Sequence, residues 1–195
     1  KEHGRGSFVR ALPIEQKLDH LAGFAEEMEK LNHQSSAKIM GITRVPASED
    51  VARHLALPVG EEVQKIERLR YADQDAIVFN IVFMPLEIGA KIATEDLTKH
   101  GIFPLLEGKY GIPLLEADYQ FEAAAPPRRV QNALGLKPHD PVFLVRRTAY
   151  TDGGRPINYT LLYYRSDRFR YAVHVQKARP ANAAVRLKGH LQTVR

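Results

Sequence analysis

Two arginines separated by one residue are the clearest candidates for chemistry in this sequence. Arg68 and Arg70 lie in the stretch IERLRY, which has the composition of a β-strand. Side chains alternate along a strand, so both guanidiniums are expected on one face with Ile66, and Leu69 on the other. Such close cations repel each other unless an anion or a protein carboxylate lies between them. The sequence therefore leaves two alternatives open: an anion-binding site, or surface arginines paired with acids such as Glu67. If a helix covers the strand face that carries the arginines, the anion-binding site is favoured, because buried charges must be paired.

A second polar group lies in the stretch RPINYTLLYYRSDRFRYAV, residues 155–173. It contains Asn158 and Tyr164, and in a strand Tyr163 and Tyr164 point to opposite faces. Arg165 and Asp167 are spaced to form an ion pair, for which bidentate geometry is common. We expect that pair to have a structural role.

Motifs for catalysis are missing from the sequence. It has no Gly-x-Ser-x-Gly, P-loop, His-Glu-x-x-His or dinucleotide-binding glycine fingerprint. Its 8 histidines are scattered, and most are expected at the surface, although a site assembled from distant segments stays open. With 0 cysteines the chain has no thiol catalysis, cysteine-ligated zinc or disulfides, which fits the cytoplasm. We expect no metal, no cofactor and no membrane span, and we expect no enzymatic activity.

The net charge of +5 is typical of a nucleic-acid-binding protein, but the basic residues are not spread evenly along the chain. The segment 177–195 has no acidic residue and carries basic residues that match the whole net charge: Lys177, Arg179, Arg186, Lys188 and Arg195. The body of the chain is therefore not predicted to bind DNA, and the basic C-terminal segment is expected to be disordered.

Hydrophobic periodicity predicts a mixture of helices and strands. The long amphipathic helix predicted over 14–32 is marked by Leu18, Phe24 and Met28, and Ser48 is the predicted N-cap of a helix over 49–56. Short helices are predicted near 95–99 and 103–110. Strands are predicted over 37–43, 63–71, 76–84, 114–124 (with one face buried), 142–151, 157–164 and 169–175.

An internal repeat relates the segment 51–73 to the segment 130–152. The matching positions follow the order helix, turn, strand and turn, and they are Val51/Val130, Leu55/Leu134, Leu57/Leu136, Val63/Val142, Arg68/Arg147, Tyr71/Tyr150 and Asp73/Asp152. Two copies are too few for a solenoid. The pattern predicts an internally duplicated α+β domain, with helices packed against one antiparallel sheet.

The ordered motifs GRGSFV, GFAEEM, IERLRYADQDAIVFNIVFMP and LGLKPHDPVFLVRRTAYTDGGRPINYTLLYYRSDRFRY resemble a known family. Over about residues 1–173 the chain is similar to the effector-binding (UTRA) domain of GntR-type bacterial transcription regulators of the HutC branch. The resemblance implies a chorismate lyase-like fold and a small-metabolite effector. It also implies a homodimer that binds DNA through an N-terminal winged helix-turn-helix.

The resemblance also implies roles for particular residues. In phosphosugar-sensing members two strand arginines grip the phosphate, which assigns Arg68 and Arg70 as the anion clamp. A Ser-x-Tyr that usually assists them is replaced here by Gly101-Ile102-Phe103. The remaining implied ligand-binding positions are two amides in place of the usual acids, the family tyrosine and the aromatic residue of the linker helix: Asn80, Asn158, Tyr164 and Phe24. With acids and hydroxyls lost, we expect a carboxylate metabolite in preference to a sugar phosphate.

The first residues add the expected output of the protein. GRGSFV resembles the tip and returning strand of a DNA-binding wing, with Arg5 and Gly6 at the DNA. We therefore expect the remnant of a wing and a linker over 1–13, an effector domain over 14–176 and a tail over 177–195. In this expectation the effector-binding domain is separated from its DNA-binding domain. The competing hypotheses are a chorismate lyase-like enzyme acting on a dicarboxylate and a dimerisation module with no open pocket.

Overall fold

The computed structural model describes residues 13–175. The predictions for the wing residues Arg5 and Gly6 and for the basic segment 177–195 lie outside the described residues. The strands are β1 Ile14–Lys17, β2 Ser35–Pro46, β3 Glu62–Ala72, β4 Asp75–Pro85, β5 Glu116–Ala124, β6 Val142–Thr151, β7 Arg155–Arg165 and β8 Phe169–Ala172. The helices are α1 Phe24–Lys30, α2 Glu49–Leu55, α3 Leu86–Ile92, α4 Ile102–Pro104, which continues as a π-helical turn Leu105–Lys109, and α5 Arg128–Leu134.

Six of the strands form one antiparallel sheet in the order β2-β3-β4-β7-β6-β5. Strands β1 and β8 pair in parallel as a separate two-stranded sheet. Helices α2 and α5 pack on the outer face of the large sheet, the face that carries Leu69 and Tyr159. Helices α1, α3 and α4, together with β1 and β8, cover the inner face, which carries Ile66 and Leu162. The sheet is therefore covered on both faces, as an α+β domain requires.

The predicted duplication is visible in the fold. Helix α5 is the counterpart of α2, and β6 is the counterpart of β3, at the spacing that the sequence repeat predicted. Strand β7 is the counterpart of β4, but the turn at Asp152–Gly154 that precedes it is one residue longer than the turn in the first copy. Since faces alternate along a strand, this extra residue brings Thr160 to the inner face in place of Tyr159. An approximate two-fold axis relates the copies and passes through the cross-strand pair Ile81–Leu161.

The predicted helix over 14–32 is wrong in its first half. Residues Ile14–Lys17 form β1, and the backbone N–H of Ile14 donates to the carbonyl of Arg168 at 2.8 Å. The helix begins after Gly23, whose N–H donates to the Glu26 carboxylate at 2.6 Å, an N-terminal cap. The apolar spacing alone fitted one helix, but hydrogen bonds to β8 hold the first residues as a strand.

The predictions for two further regions are wrong in part, and the prediction for a third is confirmed. The segment 95–99 is a series of turns, and the helix in this region is α3, which the sequence pattern did not predict. Strand β5 was expected to bury one face, but Phe121 is 42% exposed. Strand β5 is an edge strand of the sheet, so its apolar residues have fewer neighbours than those of a central strand. The Ser48 cap and the helix that follows it are confirmed, with the N–H of Val51 donating to the Ser48 hydroxyl at 3.4 Å.

Candidate functional site

The inner face of the sheet places Arg68 and Arg70 side by side, as strand alternation predicted. Arg68 is 3% exposed and lies opposite Asn80 of β4, while Arg70 is 5% exposed and lies opposite Val78. The next strand adds Tyr164, whose register partner on β4 is Val78. Both guanidiniums are therefore buried within the domain and do not lie at its surface.

Aromatic rings from two helices cover these cations. The guanidinium carbon of Arg70 lies 4.9 Å from the ring centre of Phe24, at the start of α1. The guanidinium carbon of Arg147 on β6 lies 4.3 Å from the ring centre of Phe103 in α4. Both distances are in the range of cation–π attraction. The aromatic residue predicted to cap the site is thus in position, and a second ring covers a third arginine.

One cavity brings together every ligand-binding residue that the sequence predicted. Its cavity volume is about 30 Å³, within about 500 Å³ of unfilled space that includes the part open to solvent. The predicted residues in its lining are Phe24, Arg68, Arg70, Asn80, Gly101, Phe103, Asn158 and Tyr164. These side chains come from five elements, so the tertiary fold is what makes them neighbours.

The cavity also contains residues that sequence reasoning did not assign to it. The polar ones are Gln16 of β1, Arg147 of β6, Thr160 of β7 and Tyr171 of β8. A signal for Arg147 was present, because the internal repeat pairs it with Arg68. No comparable sequence signal pointed to Gln16 or Tyr171, whose strands meet only in the folded chain.

The cavity is positively charged, and the described residues of its lining include no acid. Three arginines line it, and no aspartate, glutamate or histidine does so among the residues that the structure describes. Within the described part of the chain, buried polar atoms at the site have no hydrogen-bond partner: Nε and Nη1 of Arg68, Nε of Arg70, Nε of Arg147 and Oδ1 of Asn80. Buried polar groups in proteins are ordinarily paired. The guanidinium nitrogens are donors that an anion can satisfy, whereas Oδ1 of Asn80 is an acceptor that a donor group of a ligand can satisfy.

The pKa values of Arg68 and Arg70 report the same imbalance. Burial lowers the pKa of Arg68 well below its ordinary value, and the positive charges of Arg70 and Arg147 lower it further. Burial also lowers the pKa of Arg70, to about 10. A negative charge that enters the cavity therefore stabilises the charged form of both guanidiniums.

Neutral polar groups complete the lining. The Thr160 hydroxyl donates to Oδ1 of Asn158 at 2.6 Å, which orients that amide. Burial raises the pKa of Tyr164 to about 12, and its ring stacks on Phe169 with 3.9 Å between ring centres. Burial also raises the pKa of Tyr171 well above its ordinary value. Both phenols are therefore neutral hydrogen-bonding groups near neutral pH.

The ion pair predicted between Arg165 and Asp167 lies outside this cavity. Nε and Nη2 of Arg165 donate to the two carboxylate oxygens of Asp167 at 3.0 and 2.9 Å, a bidentate pair. Between residues 13 and 175, no group of three or more histidines and acids is arranged to hold a metal ion. No helix in the same range is long and apolar enough to cross a membrane.

Comparison with known proteins identifies the family. The sequence profile of the UTRA domain matches residues 30–170. The chain belongs to the UTRA domain family. This domain occurs in GntR-family transcriptional regulators, and the predicted fold class, an α+β domain with one antiparallel sheet, is confirmed.

Named relatives of this UTRA domain are transcriptional regulators. The chain is 25% identical to the HTH-type transcriptional repressor NagR of Bacillus subtilis, over 89% of this chain and 71% of that protein. It is 25% identical to the HTH-type transcriptional regulator Rv0792c of Mycobacterium tuberculosis, over 94% of this chain and 68% of that protein. The solved effector domain of PhnF from Mycobacterium smegmatis has the same fold, with a TM-score of 0.77, 20% identity, and coverage of 84% of this chain and 100% of that one. The HutC branch stays a prediction.

Proposed function

We propose that this UTRA domain is the ligand-sensing part of a bacterial DNA-binding transcriptional regulator, and that its cavity binds a small anionic metabolite. The observation that carries the proposal is one cavity lined by the buried Arg68 and Arg70 and the half-buried Arg147, with no acid among its described lining residues. An anion that enters the cavity supplies the hydrogen bonds that the guanidiniums lack. Such a regulator acts in the cytoplasm, where bacterial DNA lies.

We favour a carboxylate over a sugar phosphate as the ligand. A sugar needs acceptors for its many hydroxyl protons, and acids commonly serve in that role. Here the equivalent positions are the amides Asn80 and Asn158, and Gly101 and Phe103 stand where a hydroxyl pair is usual. Apolar side chains such as Val82 also line the cavity, which suits a compact metabolite with a short apolar body.

The route from ligand to DNA is proposed to pass through β1 and α1. Gln16 of β1 and Phe24 of α1 both line the cavity, and β1 follows the segment that the sequence predicts to be wing and linker. Ligand binding that shifts these elements changes the position of a DNA-binding head attached before them. In a homodimer, two such heads must match the spacing of two DNA half-sites, so their displacement changes operator affinity.

We favour binding over catalysis for this cavity. A lyase of the chorismate lyase type requires groups that move protons, and the titratable side chains in the described lining are arginines and tyrosines. The pKa of Tyr164 is raised to about 12 by burial, which makes the phenol a poor proton donor or acceptor near pH 7. We therefore expect no turnover of chorismate by the purified protein, measured by product formation.

Thermal stabilisation by anions tests the proposed function. The chain is heated in a phosphate-free buffer with panels of carboxylates, amino acids and sugar phosphates, and the shift in Tm is recorded. We expect at least one carboxylate to raise Tm, and we expect Arg68→Gln to weaken its binding by about a hundredfold, as loss of a buried charged hydrogen bond does. Arg44→Gln is the matched control, because the Arg44 side chain is 58% exposed and is not part of the cavity lining. An unchanged response in Arg68→Gln would contradict the proposal.

A further inference from the structure

The copies of the repeat each contribute an arginine to the cavity. Arg68 of the first copy and Arg147 of the second are equivalent positions of the repeat, and both reach the inner face. On its neighbouring strand each has a polar partner in the lining: Asn80 is in register with Arg68, and Thr160 is in register with Arg147. The cavity therefore has a polar, cationic flank on each side of the approximate two-fold axis.

Arg147 has no acidic partner among the described residues. Its Nη1 donates to the carbonyl oxygen of Ala22 at 3.2 Å, its guanidinium lies against Phe103, and its buried Nε has no partner. The adjacent Arg146, on the outer face, instead contacts Asp50 and Glu122. Arg147 thus resembles Arg68 in lacking a counter-charge, although it lies on the other flank.

The charge of the lining favours two acidic groups over one. Arg68 and Arg70 reach the cavity from β3 and Arg147 reaches it from β6, on opposite sides of β4 and β7. The charge of Arg147 is near enough to lower the pKa of Arg68, so the three guanidiniums share one cationic space. A single carboxylate also leaves three guanidiniums with one negative charge. A second carboxylate on the same molecule reduces this excess and satisfies the far flank.

We propose that Arg147 binds a second acidic group of the ligand, and that the ligand is a small dicarboxylate spanning the cavity from Arg68 and Arg70 to Arg147. This inference rests on the proposed function, since it assumes that the cavity binds a carboxylate. Between the two ends, Val82 and Leu162 line the sheet side of the cavity, which fits a short aliphatic or planar spacer.

The experiment compares dicarboxylates with partners that lack one charge. The probes are malonate, succinate, glutarate, adipate, fumarate and maleate, each measured beside its monoamide, with inorganic phosphate and glucose 6-phosphate as further probes. Binding is measured by calorimetry on the whole chain and by the shift in Tm. In the unmodified protein we expect at least one dicarboxylate to bind about tenfold or more tightly than its monoamide.

Variants assign that preference to Arg147. In Arg147→Gln we expect the dicarboxylate and its monoamide to bind within about twofold of each other, because the second carboxylate has lost its partner. In Arg147→Lys, which keeps the charge, we expect part of the preference to return. Arg146→Gln is the control, since it removes a positive charge from the same strand on the outer face and is expected to keep the full preference.

The outcomes separate this inference from the proposed function. If Arg147→Gln keeps the full preference for the dicarboxylate while Arg68→Gln loses carboxylate binding, the proposed function holds and the assignment of Arg147 is wrong. If monocarboxylates or glucose 6-phosphate bind and no dicarboxylate binds, the cavity binds anions but the proposal of a dicarboxylate ligand is wrong. If no anion in either panel binds the unmodified protein, the proposed function fails together with this inference.

Discussion

The two faces of the central sheet use the same residue type in opposite ways. On the outer face, Arg146 contacts Asp50 at 3.2 Å and Glu122 at 2.7 Å, and Arg129 contacts Glu67 at 2.9 Å. On the inner face, the arginines of the cavity have no acidic partner within the described chain. Neighbouring positions on one strand thus carry a paired and an unpaired cation. The outer pairs stabilise the scaffold. The inner cations destabilise the ligand-free protein, and an anionic ligand that pairs with them removes this cost.

The outer pairs also follow the internal repeat, with their charges exchanged. Asp50 of α2 contacts Arg146 of β6, and the equivalent positions in the other copy are Arg129 of α5 and Glu67 of β3. Each helix thus forms an ion pair with a strand of the other copy. On the outer face the copies have diverged to complementary charges, whereas on the inner face Arg68 and Arg147 have kept the same charge. This difference is what favours an anion in the inner cavity.

Removal of an outer arginine is expected to have the largest effect on stability. Arg146→Met leaves Asp50, Glu122 and the buried Tyr159 hydroxyl without the donor that they share. We expect the free energy of unfolding to fall by about 2 kcal/mol, below the cost for a fully buried pair because the Arg146 side chain is 30% exposed. Urea unfolding measures this change. A change smaller than about 0.5 kcal/mol would mean that the outer network is not a scaffold.

Removal of an inner arginine is expected to increase the free energy of unfolding, the opposite of the effect on the outer face. Arg68→Met replaces a buried, uncompensated cation with an apolar side chain of similar length. We expect the ligand-free protein to gain about 1.5 kcal/mol in the same urea experiment, while anion binding is lost. Loss of stability in this variant would break the comparison between the faces, because it would show that Arg68 is satisfied without a ligand.

Alkaline pH is expected to destabilise the protein through its buried tyrosines, of which Tyr159 on the outer face and Tyr164 on the inner face are tested. Burial is the main cause that raises the pKa of Tyr159 and of Tyr164 to about 12 in the folded protein, against an ordinary value of 10.0. The unfolded chain therefore loses these protons first, so their contribution is intact below pH 10 and is lost as the pH rises toward 12. We expect each tyrosine to remove about 1 kcal/mol between pH 10 and 11.

Phenylalanine variants assign the alkaline effect to each face. Urea unfolding at both pH values is compared for the unmodified protein, Tyr159→Phe and Tyr164→Phe. Each variant is expected to reduce the loss of stability between the two pH values by about 1 kcal/mol, while Tyr163 and Tyr171, whose pKa values burial also raises, keep the remainder. A pH dependence that neither variant reduces would contradict the raised pKa values.

Local patterns predicted much of the scaffold. The hairpins, α2 with its Ser48 cap and the repeat were readable from periodicity and turn residues, because these depend on interactions between near neighbours along the chain. The segment 14–32 was not readable in this way, since β1 exists only through its hydrogen bonds to β8. Helix α3 was likewise missed, and it is a short helix whose position depends on packing against the sheet.

The sequence by itself determined that Arg68 and Arg70 share one face of a strand, because alternation is a property of the backbone. It also determined the repeat and the resemblance to the family to which the chain belongs. Only the tertiary structure decided that this face is covered, that no acid of the described chain reaches it and that Arg147 joins it from the second copy. The physical reason is that charge compensation depends on distances through space, and the segments that cover the inner face lie far apart along the chain.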